Sequence, residues 1–165
     1  MAKKELLDAL NRQIAMEEFA SRSYLALALW ADEASFEGAA AFFYKQAEEE
    51  RLHMHKFIRF MLDIGGSPVV STFPEPLPKA KSFRNLFEIG LKHERAVTKS
   101  IHKMYEMALK EKDYAAVSFL NWFVEEQVEE ENQFNTILDK IKLIETHGGS
   151  IYMFDRELAM RAAKS

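Results

Sequence analysis

The 165-residue sequence predicts an all-α fold: two antiparallel helical hairpins joined by one long crossover into a four-helix bundle, with a short fifth C-terminal helix. Three observations predict it. Apolar residues recur at three- and four-residue spacing along almost the whole chain. The exception is a single window between Gly65 and Lys81, which holds all four prolines, Pro68, Pro74, Pro76 and Pro78. The other breaks between long helical stretches span only a few residues, which forces the flanking helices to run antiparallel.

The first helix, α1, is expected at about 4–33, where amphipathic spacing starts directly after Met-Ala-Lys-Lys. Ser35 is a plausible N-cap for α2 at about 36–64, and Gly65-Gly66 stops that helix. Ser82 would cap α3 at about 83–111, and Asp113 would cap α4 at about 114–145. Gly148-Gly149 ends α4, and α5 follows at about 151–163, with Ile151, Phe154 and Leu158 on one apolar face. Helices of this length extend roughly 42–48 Å. The α2–α3 connection of about 17 residues can reach roughly 56 Å when extended. It can therefore run the length of the bundle and let α3 start beside the start of α2. So long a loop without regular structure would otherwise argue against the assignment.

Composition removes several classes of function. Nearly half the residues are apolar and Phe alone occurs 13 times, enough for a sizeable core in one domain spanning residues 1–165. The net charge of −4 is spread along the chain without a basic tail or stripe, which argues against nucleic acid as a partner. With no cysteine there are no disulfides, zinc-thiolate sites, iron–sulfur clusters or thiol nucleophiles. No stretch has the length of a membrane span and the first residues lack an apolar leader core, so a cytoplasmic location without membrane attachment is expected.

Four acids stand where apolar residues belong. Positions seven apart on a helix lie on nearly one side. The columns read Leu10, Glu17, Tyr24, Ala31 on α1 and Phe43, Glu50, Phe57, Ile64 on α2. On α3 and α4 they read Phe87, Glu94, Ile101, Ala108 and Phe123, Glu130, Ile137, Ile144. Glu17 lies about 17 residues before the first turn and Glu50 about 16 after it, while Glu94 and Glu130 each lie about 18 from the second turn. At about 1.5 Å per residue all four meet near mid-bundle. His53 follows Glu50 by three residues and so shares its face, and Gln127 precedes Glu130 by three. Singly, a Glu-x-x-His pair is commonly a surface pair, and a buried glutamate a hydrogen-bonded core residue. Four inward carboxylates at one depth need compensation, and two divalent cations supply it. Oxygen-rich ligation with one imidazole suits iron(II) or manganese(II). His55, His93, His102 and His147 fall off the inward columns and read as surface, as do Glu125 and Glu131. Tyr24 is expected to reach a ligand with its hydroxyl.

With Glu17, Glu50-x-x-His53, Glu94 and Gln127-x-x-Glu130 in place, the whole chain resembles a non-haem bacterial-type ferritin of the ferritin-like di-iron superfamily. That plan takes one Glu from each of two helices and a Glu-x-x-His from each of the other two. The sequence matches on three helices and departs on α4, where Gln127-x-x-Glu130 stands in place of the second Glu-x-x-His. The departure resembles storage ferritins, in which iron passes through unequal positions. The resemblance implies a first iron on Glu17, Glu50 and His53, and a second on Glu50, Glu94 and Glu130 with Gln127 close by. It also implies a third position at Glu49, Glu126 and Glu129 with Glu130 shared. Bacterioferritin has its haem-ligating Met directly after the α2 glutamate; Arg51 stands there, so no haem is expected. The implied activity is that of a ferroxidase, oxidising Fe(II) with dioxygen or peroxide and storing Fe(III) as mineral. The implied assembly is a homo-oligomeric shell of 24 subunits. The alternative is another di-iron carboxylate bundle, such as a rubrerythrin-like peroxidase without mineral storage. Its usual partner domain needs paired cysteines, which this chain lacks.

Overall fold

The computed structural model describes residues 4–72 and 75–162. Its elements are α1 (Lys4–Glu33), α2 (Glu37–Asp63), α3 (Phe83–Glu111), α4 (Tyr114–His147) and α5 (Ile151–Ala162). The expected helices are therefore present within two residues at each described end. Pro74 and the expected last residue of α5, 163, lie outside the described residues.

Pairwise contacts give the directions. Gln13 meets Ser100 while Tyr24 meets Gly90 and Glu94, so α1 and α3 run antiparallel. Gln46 meets Glu130 while Phe60 meets Phe119, so α2 and α4 do the same. With each hairpin antiparallel as well, α2 and α3 are parallel, and the chain must traverse the bundle between them. Phe36 at the head of α2 lies 4.8 Å from Phe83 at the head of α3, as that traverse requires. Asn11 ties the crossover to α1, donating to the Ser67 carbonyl and accepting from the Val69 amide at 2.8 Å.

Capping follows the sequence at two helices and departs from it at a third. The Ser82 hydroxyl accepts from the Asn85 amide, and the Asp113 carboxylate accepts from the Ala116 amide. Ser35 does not cap α2. The three-residue reversal after α1 places Ser35 in the left-handed region, at φ 62°, and Phe36 occupies the cap position with no acceptor to offer. The missing cap comes from α5. Asp155 is buried and accepts from the amides of Gly38 and Ala39 at 3.0 and 2.8 Å. A carboxylate suits the positive end of a helix. The approach demands glycine: a Cβ on Gly38 would lie 1.8 Å from the Asp155 carbonyl oxygen.

The apolar core is divided in two. One half is built around Leu27, Phe43, Phe87, Phe134 and Phe154, near the heads of α2 and α3. The other is built around Leu10, Ile14, Phe57, Met61, Ile101 and Phe123. Between them lies a layer of buried polar side chains. Phe154 and Leu158 of α5 are buried in the first half, as the sequence pattern predicts.

Candidate metal centre

The polar layer contains Gln13, Glu17, Gln46, Glu50, His53, Glu94, Gln127 and Glu130, all buried. The four inward acids that the columns single out are therefore brought to one depth, each from a different helix. Among the described residues, Glu17, Glu50 and His53 each place a ligand atom within 4.8 Å of the others, close enough to surround one cation. His53 Nδ1 lies 3.3 Å from Glu50 Oε2. The rings of Trp122 and Phe123 flank His53 edge-on at 5.6 and 5.7 Å and wall it from solvent.

Glu94 and Glu130 sit in the same layer, each held by its own donors. The Tyr24 hydroxyl donates to Glu94 Oε1, and the Gln127 amide donates to Glu94 Oε2 at 3.2 Å. The same Gln127 nitrogen faces the Glu94 carbonyl and the Thr98 hydroxyl, each at 3.2 Å. Gln127 thus braces a carboxylate with its nitrogen end. Glu130 accepts from Gln46 Nε2 at 2.8 Å.

The outer acids have a different setting. Glu49 and Glu126 are half-buried and Glu129 is exposed. Together with Glu130 they line a cavity of about 600 Å³ that also carries Lys45 and Arg161. His53 Nε2 lies 3.9 Å from Glu126 Oε1, so the cavity wall reaches the inner layer.

Burial dominates the electrostatics of the layer. It pushes Glu50 well above the usual carboxylate range, with Glu94 and Glu17 adding to the rise. It pushes Glu94 up to about 7 against the opposing hydrogen bonds from Tyr24 and Gln127. Burial, then the charge of Glu94, pushes Glu130 up to about 8. Burial raises the Tyr24 hydroxyl well above its ordinary value, with Glu94 next in effect. Burial also lowers His53, leaving its imidazole neutral at pH 7 and able to donate a lone pair. Burial thus favours the protonated acids in this layer, and a cation bound there would have to displace those protons.

Two sequence expectations need correction. His93 is half-buried, not on the surface: its ring lies 5.6 Å from Tyr24 and 6.3 Å from Phe19. Its Nε2 is sealed from solvent with no hydrogen-bond partner, and burial lowers its pKa. Packing of α1 against α3 covers this flank, which column arithmetic on α3 alone cannot register. Glu131 is likewise half-buried, accepting from the Thr98 hydroxyl at 2.6 Å with Arg95 at 3.9 Å. Gln13 and Gln46 carry a signal that the columns held but the acids overshadowed. They interrupt Leu6, Gln13, Ala20, Leu27 and Ala39, Gln46, His53, Phe60 as the glutamates interrupt theirs.

Comparison with known proteins places this arrangement. The ferritin-like domain family matches residues 7–144. The chain is 42% identical over 162 residues to a bacterial non-heme ferritin of Staphylococcus haemolyticus, covering 98% of both chains. A bacterial non-heme ferritin of Staphylococcus aureus is 38% identical over 161 residues, covering 98% of this chain and 97% of that one. Among solved structures, an open-pore ferritin of the hyperthermophilic archaeon Archaeoglobus fulgidus superposes with a TM-score of 0.90 at 35% identity, covering 96% of this chain and 98% of that one. A Chlorobium tepidum ferritin gives 0.86 at 38% identity, covering 96% and 98%.

Proposed function

The chain belongs to the ferritin family, and from that premise we propose that its buried carboxylate layer is a ferroxidase centre feeding an iron store. Iron storage is the function the family supports. The observation that carries the site is the convergence of Glu17, Glu50 and His53 within 4.8 Å, in a layer that also buries Glu94 and Glu130.

Iron is substrate here. Glu17, Glu50 and His53 would take the first Fe(II), and Glu50 would bridge to a second held by Glu94 and Glu130, with Gln127 bracing Glu94. Two Fe(II) ions bring four positive charges to four carboxylates, which relieves the desolvation that otherwise raises their pKa values. Each Fe(II) gives up one electron. The pair supplies the two that reduce dioxygen to hydrogen peroxide, or peroxide to water, with protons from the centre or solvent. The protein contributes pairing, charge balance and exclusion of bulk water. Unequal surroundings of the two positions, with Gln127-x-x-Glu130 in place of a second Glu-x-x-His, favour passage of iron over permanent retention. Glu49, Glu126 and Glu129, with Glu130 shared, would hold a third ion at the cavity wall, between the centre and the exterior of the bundle. Copies of the chain would enclose the mineral as a 24-subunit shell. No helix of the described residues is long and apolar enough to cross a membrane.

The test is substitution at both positions. His53→Ala and Glu94→Ala should each slow the fast phase of Fe(II) oxidation by ~10²-fold or more, while light scattering shows the assembly intact. A fast phase unchanged in both variants would place the centre elsewhere.

A further inference from the structure

Two buried amides in the polar layer ligate nothing in the scheme above. Gln13 stands one turn before Glu17 and donates Nε2 to Glu17 Oε1 at 2.6 Å. Its own Oε1 accepts from the Ser100 hydroxyl of α3 at 2.5 Å. With the oxygen end so engaged, the nitrogen end must face Glu17, and the amide has one orientation. The other Glu17 oxygen, Oε2, is buried without a partner. One oxygen is therefore tied and the other left free toward the layer. Across the layer, Gln46 of α2 donates to Glu130 Oε2 of α4 at 2.8 Å.

We infer that Gln13 and Gln46 are positioning residues, each aiming one carboxylate at one iron position: Gln13 with its Ser100 lock at the first, Gln46 at the second. The inference rests on the ferroxidase reading of the layer. A flexible glutamate loses rotamer freedom on binding a cation, and a donor that already holds it removes part of that cost. Choice of an amide is informative. Lys or Arg would hold the carboxylate more strongly, but would bring a positive charge beside an arriving cation. A neutral donor orients the acid without repelling the metal. A fully buried amide is also expensive in an apolar column, so bare packing would favour Leu or Met at both places.

The test uses the whole assembled apo-protein and Co(II), added stepwise without oxygen and followed through its visible absorption. Gln13→Met should weaken the first binding step about tenfold or more and leave the second unchanged. Gln46→Met should do the reverse. Ser100→Ala, which removes only the lock, should weaken the first step by a smaller factor. A general packing defect would weaken both steps together and lower the melting temperature, and that pattern overturns the inference. So does a first step within twofold of wild type in Gln13→Met. Should Gln13→Met fail to assemble, Ser100→Ala decides, and an unchanged first step in it contradicts the role. Wild-type protein that takes up no Co(II) overturns the centre itself. Wild type that binds in two steps which no variant separates overturns only the amide roles.

Discussion

The hydroxyl of Tyr24 on α1 donates to the carboxylate of Glu94 on α3, joining residues seventy positions apart at the boundary between the aromatic half-core and the polar layer. The bond pulls the Glu94 pKa down while burial pushes it up to about 7. Tyr24→Phe removes the downward pull. Uptake of the second metal should then require a higher pH, with its midpoint displaced upward and the first step unmoved. Co(II) titrations at several pH values read this, and coincident midpoints in the two proteins would contradict it.

Apo-protein stability should fall as pH rises from about 5 to about 8. Glu94 sits at about 7 and Glu130 at about 8, both raised from 4.5 by burial. Between those limits the folded state keeps protons that the unfolded chain has released. Their stabilising contribution is complete below about 4.5 and is lost as pH passes the folded values. Thermal melts of the metal-free protein from pH 5 to 8.5 should show a falling midpoint, and a divalent cation added at pH 8 should restore it. A midpoint that climbs through this window contradicts the buried-acid account.

Replacing Glu50 should stabilise the empty protein. Glu50 is buried with its charged form disfavoured, so Glu50→Leu is expected to raise apo stability by about 1–4 kcal/mol. The same change should abolish stabilisation by metal. Denaturant melts with and without Co(II) separate the two effects.

Close packing supports the centre from behind. A Cβ on Gly90 would lie 2.2 Å from the Phe134 ring, which stacks on Tyr24 at 6.1 Å. Gly90→Ala should cost about 1–3 kcal/mol and slow oxidation by displacing Tyr24 from Glu94. Gly38→Ala should instead loosen α5 from α2, because the Asp155 carbonyl occupies the space needed. Asp155→Ala leaves two helix-head amides without acceptors and should cost about 2 kcal/mol. Faster proteolysis confined to α5 reports the loosening.

Much of this was legible in the sequence, and the reason is periodicity. Heptad columns register which side of a helix a residue faces, and turn positions register its height, so the sequence alone brings Glu17, Glu50, Glu94 and Glu130 together. The crossover was legible because its prolines and length left it one path. What escaped depends on contacts between helices that neither helix encodes alone. Asp155 caps α2 from over a hundred residues away, and Ser35 is drawn into a tight reversal. His93 and Glu131 are covered by neighbours, so their own helix faces mislead. Gln13 and Gln46 were visible as interruptions, yet which carboxylate each would hold depended on side-chain reach across the layer.

Addition of Fe(II) to the anaerobic apo-protein, followed by oxygen, tests the central claim most directly. The account predicts rapid oxidation that saturates at about two irons per chain, followed by slower accumulation of much more iron within the assembly. Oxidation no faster than in buffer alone would contradict it.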